Sequence, residues 1–225
     1  MNKLLLLVLD WSEVWAPIIP LVALLYRSKQ PTVLRPVIIY LWLAVVIDLI
    51  IDLNVKYKNY YPSWLQSNNP LYIVHSIIRF ICFSYFFKGL QQSSFFRLRK
   101  ILPLLSLGII FINFKFLEDF NPDQLSGNLL AAESYLLLIY CMQYYLSQLR
   151  DDVEVIRSGP DFWIVTGLSV YVVINFFVFL FYVPMLKENQ LLAERIWNVH
   201  NIAYIIFCIF ITKAFYEPVR HQYTV

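Results

Sequence analysis

The chain has 225 residues, of which 60% are hydrophobic, 18% are aromatic and only 15% are charged. Soluble domains are about half apolar and a quarter charged, so this composition excludes an ordinary soluble fold. The formal net charge of +3 comes without the clustered basic face that nucleic-acid binding requires. A lipid bilayer accommodates such a chain because lipid solvates the apolar outer faces of helices. We therefore expect one integral membrane domain over residues 1–225.

Apolar runs in chain order predict about seven transmembrane helices joined by short connections. Most are long enough to cross about 30 Å of hydrocarbon at 1.5 Å per residue. Turn residues separate them, for example Pro31, Asn121-Pro122-Asp123 and Ser158-Gly159-Pro160. The pattern predicts an all-α polytopic helix bundle. The predicted spans are 9–26, 36–53, 70–90, 101–117, 127–149, 161–185 and 196–216.

The distribution of basic residues predicts the orientation of this bundle, since cytoplasmic loops are enriched in Lys and Arg. With the N-terminus outside, eleven basic residues fall on the cytoplasmic side and six on the outer side. The cytoplasmic set includes the short cluster Arg97, Arg99 and Lys100, which we interpret as loop charge. We predict an N-terminus outside, a C-terminus in the cytoplasm and a multi-pass protein of the bacterial inner membrane.

Polar side chains within the predicted spans are concentrated in the outer half of the bundle. Such groups are costly in lipid and usually face the bundle interior, a partner or water. We predict a polar cavity that opens outward and is closed below by aromatic residues. Tyr140 and Tyr171 lie one or two turns deeper on compatible faces. The predicted ligand-binding residues are Asp48, Asp52, His75, Arg79, Glu133, Tyr140, Tyr171, Asn175, Trp197, His200 and Asn201.

Arg79 keeps its charge at any accessible pH, so it requires a carboxylate partner within the membrane. Asp48, Asp52 and Glu133 are the three candidates, and the sequence leaves the choice open. A pair that only fixes helix register is the structural alternative. Two further acids, Asp10 and Glu13, lie at the outer edge of the first span, where we interpret them as interfacial residues.

The motifs of familiar membrane enzymes are missing from the sequence. The last span carries only Lys213, near its inner end, so a retinal Schiff base at mid-helix is not expected. Two intramembrane histidines without HxxxH spacing do not form a zinc triad. The three cysteines, Cys82, Cys141 and Cys208, lie in apolar runs without metal-ligand spacing, and we expect them to pack as apolar residues. We expect no cofactor and no metal, and we favour a protein that is not an enzyme.

A weak internal similarity links the third and seventh spans. The third begins Val74-His75-Ser76-Ile77 and the seventh Val199-His200-Asn201-Ile202. If spans one to three repeat as spans five to seven, Glu13 corresponds to Glu133, Asp48 to Asn175 and His75 to His200. This is the arrangement of transporters with a three-plus-one-plus-three helix order.

Three segments resemble a group of small seven-helix membrane proteins of Bacteroidota. They are Pro160 to Tyr171, Glu133-Ser134 and Trp197 to Asn201, and in that group a P-x-F-W-I segment opens the sixth helix. Similar modules stand near, or are fused to, sensor histidine kinases. The resemblance therefore implies a signalling context with a histidine kinase or another membrane protein as partner.

These observations favour a receptor-like or sensory membrane module that passes a signal to a separate partner. Its ligand would be small and polar or anionic, because Arg79 can hold an anionic group. A small-solute transporter and a structural subunit of a membrane complex are the alternatives. No predicted loop or tail is long enough to fold into an output domain.

Overall fold

The structure, a computed structural model of the chain, describes residues 3–57, 60, 67–90, 96–117, 125–150 and 159–217. Every regular element in these ranges is helical, which confirms the predicted all-α class. The predicted breaks at Asn121–Asp123 and at Ser158 lie outside the described residues. In chain order the α-helices are α1 (Lys3–Asp10), α2 (Ser12–Trp15), α3 (Ile18–Tyr26), α4 (Arg35–Lys56), α5 (Asn69–Gly89), α6 (Phe96–Ile112), α7 (Gly127–Arg150), α8 (Pro160–Glu188) and α9 (Gln190–Tyr216).

Five of the helices in the described ranges are long and apolar enough to cross a membrane, namely α4, α5, α7, α8 and α9. They coincide with the predicted second, third, fifth, sixth and seventh spans. The predicted first and fourth spans contain the shorter apolar helices Ser12–Tyr26 and Ile101–Ile112. A π-helical turn, Asn113–Leu117, continues α6 beyond Ile112. The chain is therefore a helical membrane protein, with five segments of full spanning length in the described residues.

The N-terminal segment is divided into three short helices. Trp11 separates α1 from α2, and Pro17, which has no N–H, precedes α3. The three short helices pack against α9, and α2 and α3 also contact α4. The segment is therefore part of the bundle and places its polar side chains next to both of those helices.

The faces of α4 show how the bundle meets lipid. Ile39, Trp42 and Val46 follow each other at helical spacing and are 54%, 58% and 51% exposed. Tyr40 and Ala44, on the opposite face, are fully buried. An apolar stripe on the outside is costly in water but is solvated in a bilayer, so the pattern agrees with a membrane environment.

Helices α7, α8 and α9 pack along much of their length and form the central part of the bundle. Gly167 permits the close approach of α8 to α9, since a Cβ atom there would lie 2.4 Å from Phe210 Cβ. Gly127 does the same between α7 and α8, where a Cβ would lie 2.8 Å from the Phe179 carbonyl oxygen. Small residues allow this proximity at membrane helix interfaces, where packing is the main attraction.

A tight turn at Asn189 makes α8 and α9 an antiparallel hairpin. Asn189 ends α8, and its side-chain oxygen accepts a hydrogen bond of 3.1 Å from the Leu192 N–H at the start of α9. The turn lies at the same end of the bundle as Asp10, Lys56 and Asn69. We call this end the polar end. The opposite end, with Arg27, Arg35, Lys88 and Arg150, is the basic end.

Candidate functional site

Most of the predicted site residues lie buried in the half of the bundle nearest the polar end. Asp48 comes late in α4, His75 and Arg79 early in α5, Glu133 early in α7, and His200 early in α9. Antiparallel helices bring these positions to one level. Each of these five residues is at most 8% exposed. The charged and titratable groups therefore form a cluster inside the bundle, joined by direct contacts.

Arg79 is paired with Glu133, which resolves the choice that the sequence left open. Its Nε donates to Glu133 Oε1 at 2.7 Å, and its Nη2 donates to Glu133 Oε2 in a very short contact. The remaining Nη1 donates to the Tyr171 hydroxyl at 2.6 Å. Ser76 donates a further hydrogen bond of 2.8 Å to Glu133 Oε2. The bidentate pair fixes α5 against α7, and the bond to Tyr171 links the same guanidinium to α8.

His75 on α5 faces Asp48 on the neighbouring helix α4. Asp48 Oδ1 lies 3.0 Å from His75 Nδ1. Asp48 Oδ2 is buried and has no hydrogen-bond partner among the described residues. The ring of Tyr40 stacks on the His75 imidazole at a centroid distance of 5.8 Å. Asp48 therefore keeps an unused acceptor oxygen in the protein interior, which is unusual because such an atom normally finds a partner.

His200 on α9 joins α8 to the N-terminal segment. Its Nδ1 lies 2.5 Å from Asn175 Oδ1 on α8, and its Nε2 lies 3.0 Å from Glu13 Oε1 on α2. Both ring nitrogens of His200 therefore face a side-chain oxygen, one on each of two neighbouring elements. Asn201 adds a second link, since its amide donates to the Leu9 carbonyl at 3.1 Å.

The two histidine sites have the same construction. In each, Nδ1 of the histidine faces a side-chain oxygen on the preceding helix, Asp48 in one case and Asn175 in the other. The two acids that correspond in the possible repeat also make corresponding contacts. Glu13, before α4, contacts α9, and Glu133, before α8, contacts α5. When the sequences of α5 and α9 are aligned on His75 and His200, further positions are identical. They are Val74/Val199, Ile77/Ile202, Ile81/Ile206 and Lys88/Lys213.

A small chamber lies between these groups. Its walls include Asp48, Arg79, Tyr204 and the pair of histidines, together with Glu13. Its volume is about 20 Å³, enough for roughly one water molecule. The chamber as it stands therefore admits water, and a larger ligand requires the surrounding helices to move.

A larger vestibule adjoins the chamber toward the polar end. It has a volume of about 470 Å³, and its walls carry the carboxylates of Asp10 and Glu194. Tyr72 and Trp197 line both spaces, and their rings meet edge to face at 5.6 Å. This aromatic pair therefore lies at the boundary between the wide vestibule and the small chamber.

Aromatic rings form the floor of the chamber on the side of the basic end. Tyr171 stacks on Phe207 at 5.2 Å, and Phe207 meets Phe83 at 5.7 Å. Phe83 in turn contacts Tyr40 edge to face at 5.3 Å. All four side chains are at most 1% exposed. The predicted aromatic closure below the polar cluster is therefore present in the structure.

Five of the eleven predicted site residues do not line the chamber. Tyr140 stacks on Phe87 at 5.0 Å within the aromatic core, and Asn201 bonds to the backbone of α1. Asp52 is half-buried one turn from Asp48 and lines neither the chamber nor the vestibule. Asn175 and Glu133 lie behind the chamber wall, where they contact His200 and Arg79. The predicted residues that do line the chamber are Asp48, His75, Arg79, Tyr171, Trp197 and His200.

The sequence interpretation missed several residues of this site. Glu13 is only 8% exposed and pairs with His200, so it is not the interfacial residue that its position suggested. Ser76 supports Glu133, and Tyr72 shares the wall with Trp197. Ser76 lies three residues before Arg79, on the same face of α5, and this spacing was a usable signal. Nearer the basic end, the buried Asp161 accepts a hydrogen bond of 2.8 Å from Tyr144.

The acids and histidines of the cluster face each other in separate pairs, each between two different helices. Within the described ranges, no three His, Cys, Asp or Glu side chains are arranged to hold a metal ion. The three cysteines are buried and free, and lie apart from the chamber walls. The arrangement can respond to charge: a proton or a cation that enters the cluster changes pairs that tie helices together.

No protein-family model, curated protein or solved structure matches this chain.

Proposed function

We propose that this protein is a receptor-like sensory module of the membrane that signals to a separate partner. The observation that supports it best is the buried network, in which every charged pair connects different helices. Glu13 to His200 links α2 with α9, Asp48 to His75 links α4 with α5, and Arg79 to Glu133 links α5 with α7. A stimulus that changes the charge of one pair changes how two helices are held.

In this proposal the polar end faces outward and the chain crosses the membrane seven times. The shorter apolar helices Ser12–Tyr26 and Ile101–Ile112 are the first and fourth crossings. With α1 before the first and the π-helical turn after the fourth, the helical segments 3–26 and 96–117 approach spanning length. The excess of basic residues at the other end supports its assignment to the cytoplasm of a bacterial inner membrane.

The proposed partner is a histidine kinase or another membrane protein, as the resemblance in sequence implies. The signal would pass through shifts of helices at the basic end. Interface shifts of about 1–2 Å are typical for such switches. The aromatic floor beneath the chamber supports a sensor over a transporter, because it separates the polar network from the basic end.

A small-solute transporter is the second candidate, and one observation favours it. The matching pairs Asp48–His75 and Asn175–His200 fit a protein built from two parallel repeats around a central helix. Substrate sites of such transporters lie between the repeats, as this chamber does. Flux into proteoliposomes that depends on Asp48 or His200 would favour transport over sensing.

The test of the sensory proposal is whether a charge change in the network moves the basic end. Spin labels on Tyr85 of α5 and Leu149 of α7, which are 61% and 70% exposed, report the spacing of these helices. The three buried cysteines are first replaced by alanine. In lipid nanodiscs, we expect Glu133→Gln to shift the mean distance by about 2 Å, as measured by double electron–electron resonance.

Glu188→Gln is the matched control, because it removes an exposed carboxylate at the polar end outside the network. It should leave the distance unchanged. If Glu133→Gln does not fold, the neutral pair Arg79→Gln with Glu133→Gln replaces it. A folded variant with an unaltered distance distribution contradicts the sensory proposal and favours a structural subunit.

A further inference from the structure

The vestibule has aromatic walls that converge on one side chain. The Trp197 indole lies 4.9 Å from the ring of Tyr182 and 5.6 Å from the ring of Tyr72. The three rings come from α5, α8 and α9, so the tertiary fold assembles them. Aromatic faces grouped in this way attract cations through their quadrupoles, above all organic ammonium groups, which lose little hydration energy on leaving water.

The charge of the vestibule has the matching sign. Asp10 and Glu194 contribute their carboxylates, and no Lys, Arg or His is among the described residues that line it. Asn69 and Asn198 add neutral polar groups. A cleft lined by acids with low-dielectric walls concentrates cations and repels anions.

The chamber beneath the vestibule adds one buried acceptor oxygen. Asp48 is 1% exposed, lines the chamber, and keeps Oδ2 without a hydrogen-bond partner among the described residues. The Arg79 guanidinium, by contrast, faces its own counter-ion Glu133 and the Tyr171 hydroxyl.

We propose that the vestibule is a binding site for an organic ammonium cation. The charged head lies against Trp197, Tyr182 and Tyr72, with Asp10 and Glu194 as counter-ions, and Asp48 draws the positive charge toward the chamber. A volume of about 470 Å³ falls within the range of small-molecule sites, about 300–1,000 Å³. This inference rests on the proposed sensory function in that it names the chemical class of the stimulus.

The buried cysteines provide a direct binding assay. Cys82, Cys141 and Cys208 are all buried and free, so a thiol-reactive fluorogenic maleimide reports thermal unfolding of the purified protein. A ligand that binds only the folded state raises the unfolding temperature. Tetramethylammonium chloride is the probe. tert-Butanol, a neutral molecule of similar shape, and sodium chloride at equal ionic strength are the controls.

We expect tetramethylammonium to raise the unfolding temperature in a saturable manner and both controls to leave it unchanged. Trp197→Leu should weaken the apparent affinity about tenfold, a loss between those of an exposed and a desolvated cation–π contact. Glu194→Gln should weaken it by a smaller factor, since that carboxylate is exposed. Glu188→Gln, which removes a carboxylate outside the vestibule, should bind as the wild type does.

An unsaturable shift, or one that sodium chloride reproduces, overturns the ammonium site. So does equal binding by Trp197→Leu and the wild type. Because Trp197→Leu can also lower stability, its affinity is taken from the dependence of the shift on concentration and not from the starting temperature. The outcome is separate from the spin-label test: a moving basic end without ammonium binding retains the sensor and rejects this ligand class. Ammonium binding without movement of the basic end retains this ligand class and rejects the sensor.

Discussion

At the scale of single residues, the cluster shows how a buried charge is made tolerable in a membrane. Arg79 is 4% exposed and satisfies its guanidinium with two oxygens of Glu133 and the hydroxyl of Tyr171. These hydrogen bonds and the counter-charge offset the cost of removing both ions from water. Either residue without the other leaves an uncompensated charge inside the bundle, so the pair forms one energetic unit.

We predict that Glu133→Ala lowers the free energy of unfolding by about 3–5 kcal/mol, the cost of leaving a partner charge buried and unpaired. Replacing both members, Arg79→Met with Glu133→Leu, should restore most of this loss because no charge remains. Unfolding by sodium dodecyl sulfate in mixed micelles measures both. Equal stability of the single and double variants would show that the pair does not act as a unit.

At the scale of elements, close helix contacts determine the relative positions of the site residues. The chamber and the vestibule draw on α5 and α9 together, and α9 is held against α8 at Gly167. In lipid, helices gain little from apolar burial alone, so association depends on such close packing and on polar contacts. A side chain at Gly167 must separate α8 from α9 and with them Asn175 from His200.

We predict that Gly167→Ala destabilises the protein by about 1–3 kcal/mol through overpacking, because its Cβ would lie 2.4 Å from Phe210 Cβ. Gly108→Ala is the matched control, since nothing lies within 4 Å of a Cβ at that position on α6. It should be neutral or slightly stabilising, as alanine favours a helix over glycine. Denaturation in mixed micelles compares them, and equal losses at both positions would count against the close contact.

At the scale of the whole molecule, the acids of the site and a group of basic residues lie at opposite ends of the bundle. The acids of the vestibule and the network lie near the polar end, while Arg27, Arg35, Lys88 and Arg150 lie near the other. Lipid separates the two groups, and the aromatic floor closes the interior between them. Under the proposed orientation, a cationic stimulus meets the acidic side and the response emerges on the basic side.

The orientation predicts which positions are reachable from outside the cell. A single cysteine at Lys187, exposed at the polar end, should react with a membrane-impermeant maleimide in intact cells. One at Lys29, exposed in the connection between α3 and α4, should react only after the membrane is permeabilised. The buried native cysteines should stay silent in both cases. The opposite labelling pattern would show that the bundle has the reverse orientation in the membrane.

The sequence was sufficient for features that depend on composition and local pattern. Sustained apolar runs identified the five long helices, because a bilayer requires about 20 apolar residues per crossing whatever the packing. The grouping of Asp48, His75, Arg79, Glu133 and His200 at one level also followed from the sequence, since antiparallel helices align early positions of one with late positions of the next. The first and fourth spans were predicted less accurately. The first is divided into short helices at Trp11 and Pro17.

Only the tertiary structure decided which groups meet. Asp48, Asp52 and Glu133 were equivalent partners for Arg79 in sequence, and the rotation of each helix about its axis selected Glu133. The same rotations directed Tyr140 into the aromatic core and brought Glu13 against His200 across 187 positions of sequence. Hydropathy determines that a helix enters the membrane, but its rotation depends on packing against several neighbours at once, which no local pattern encodes.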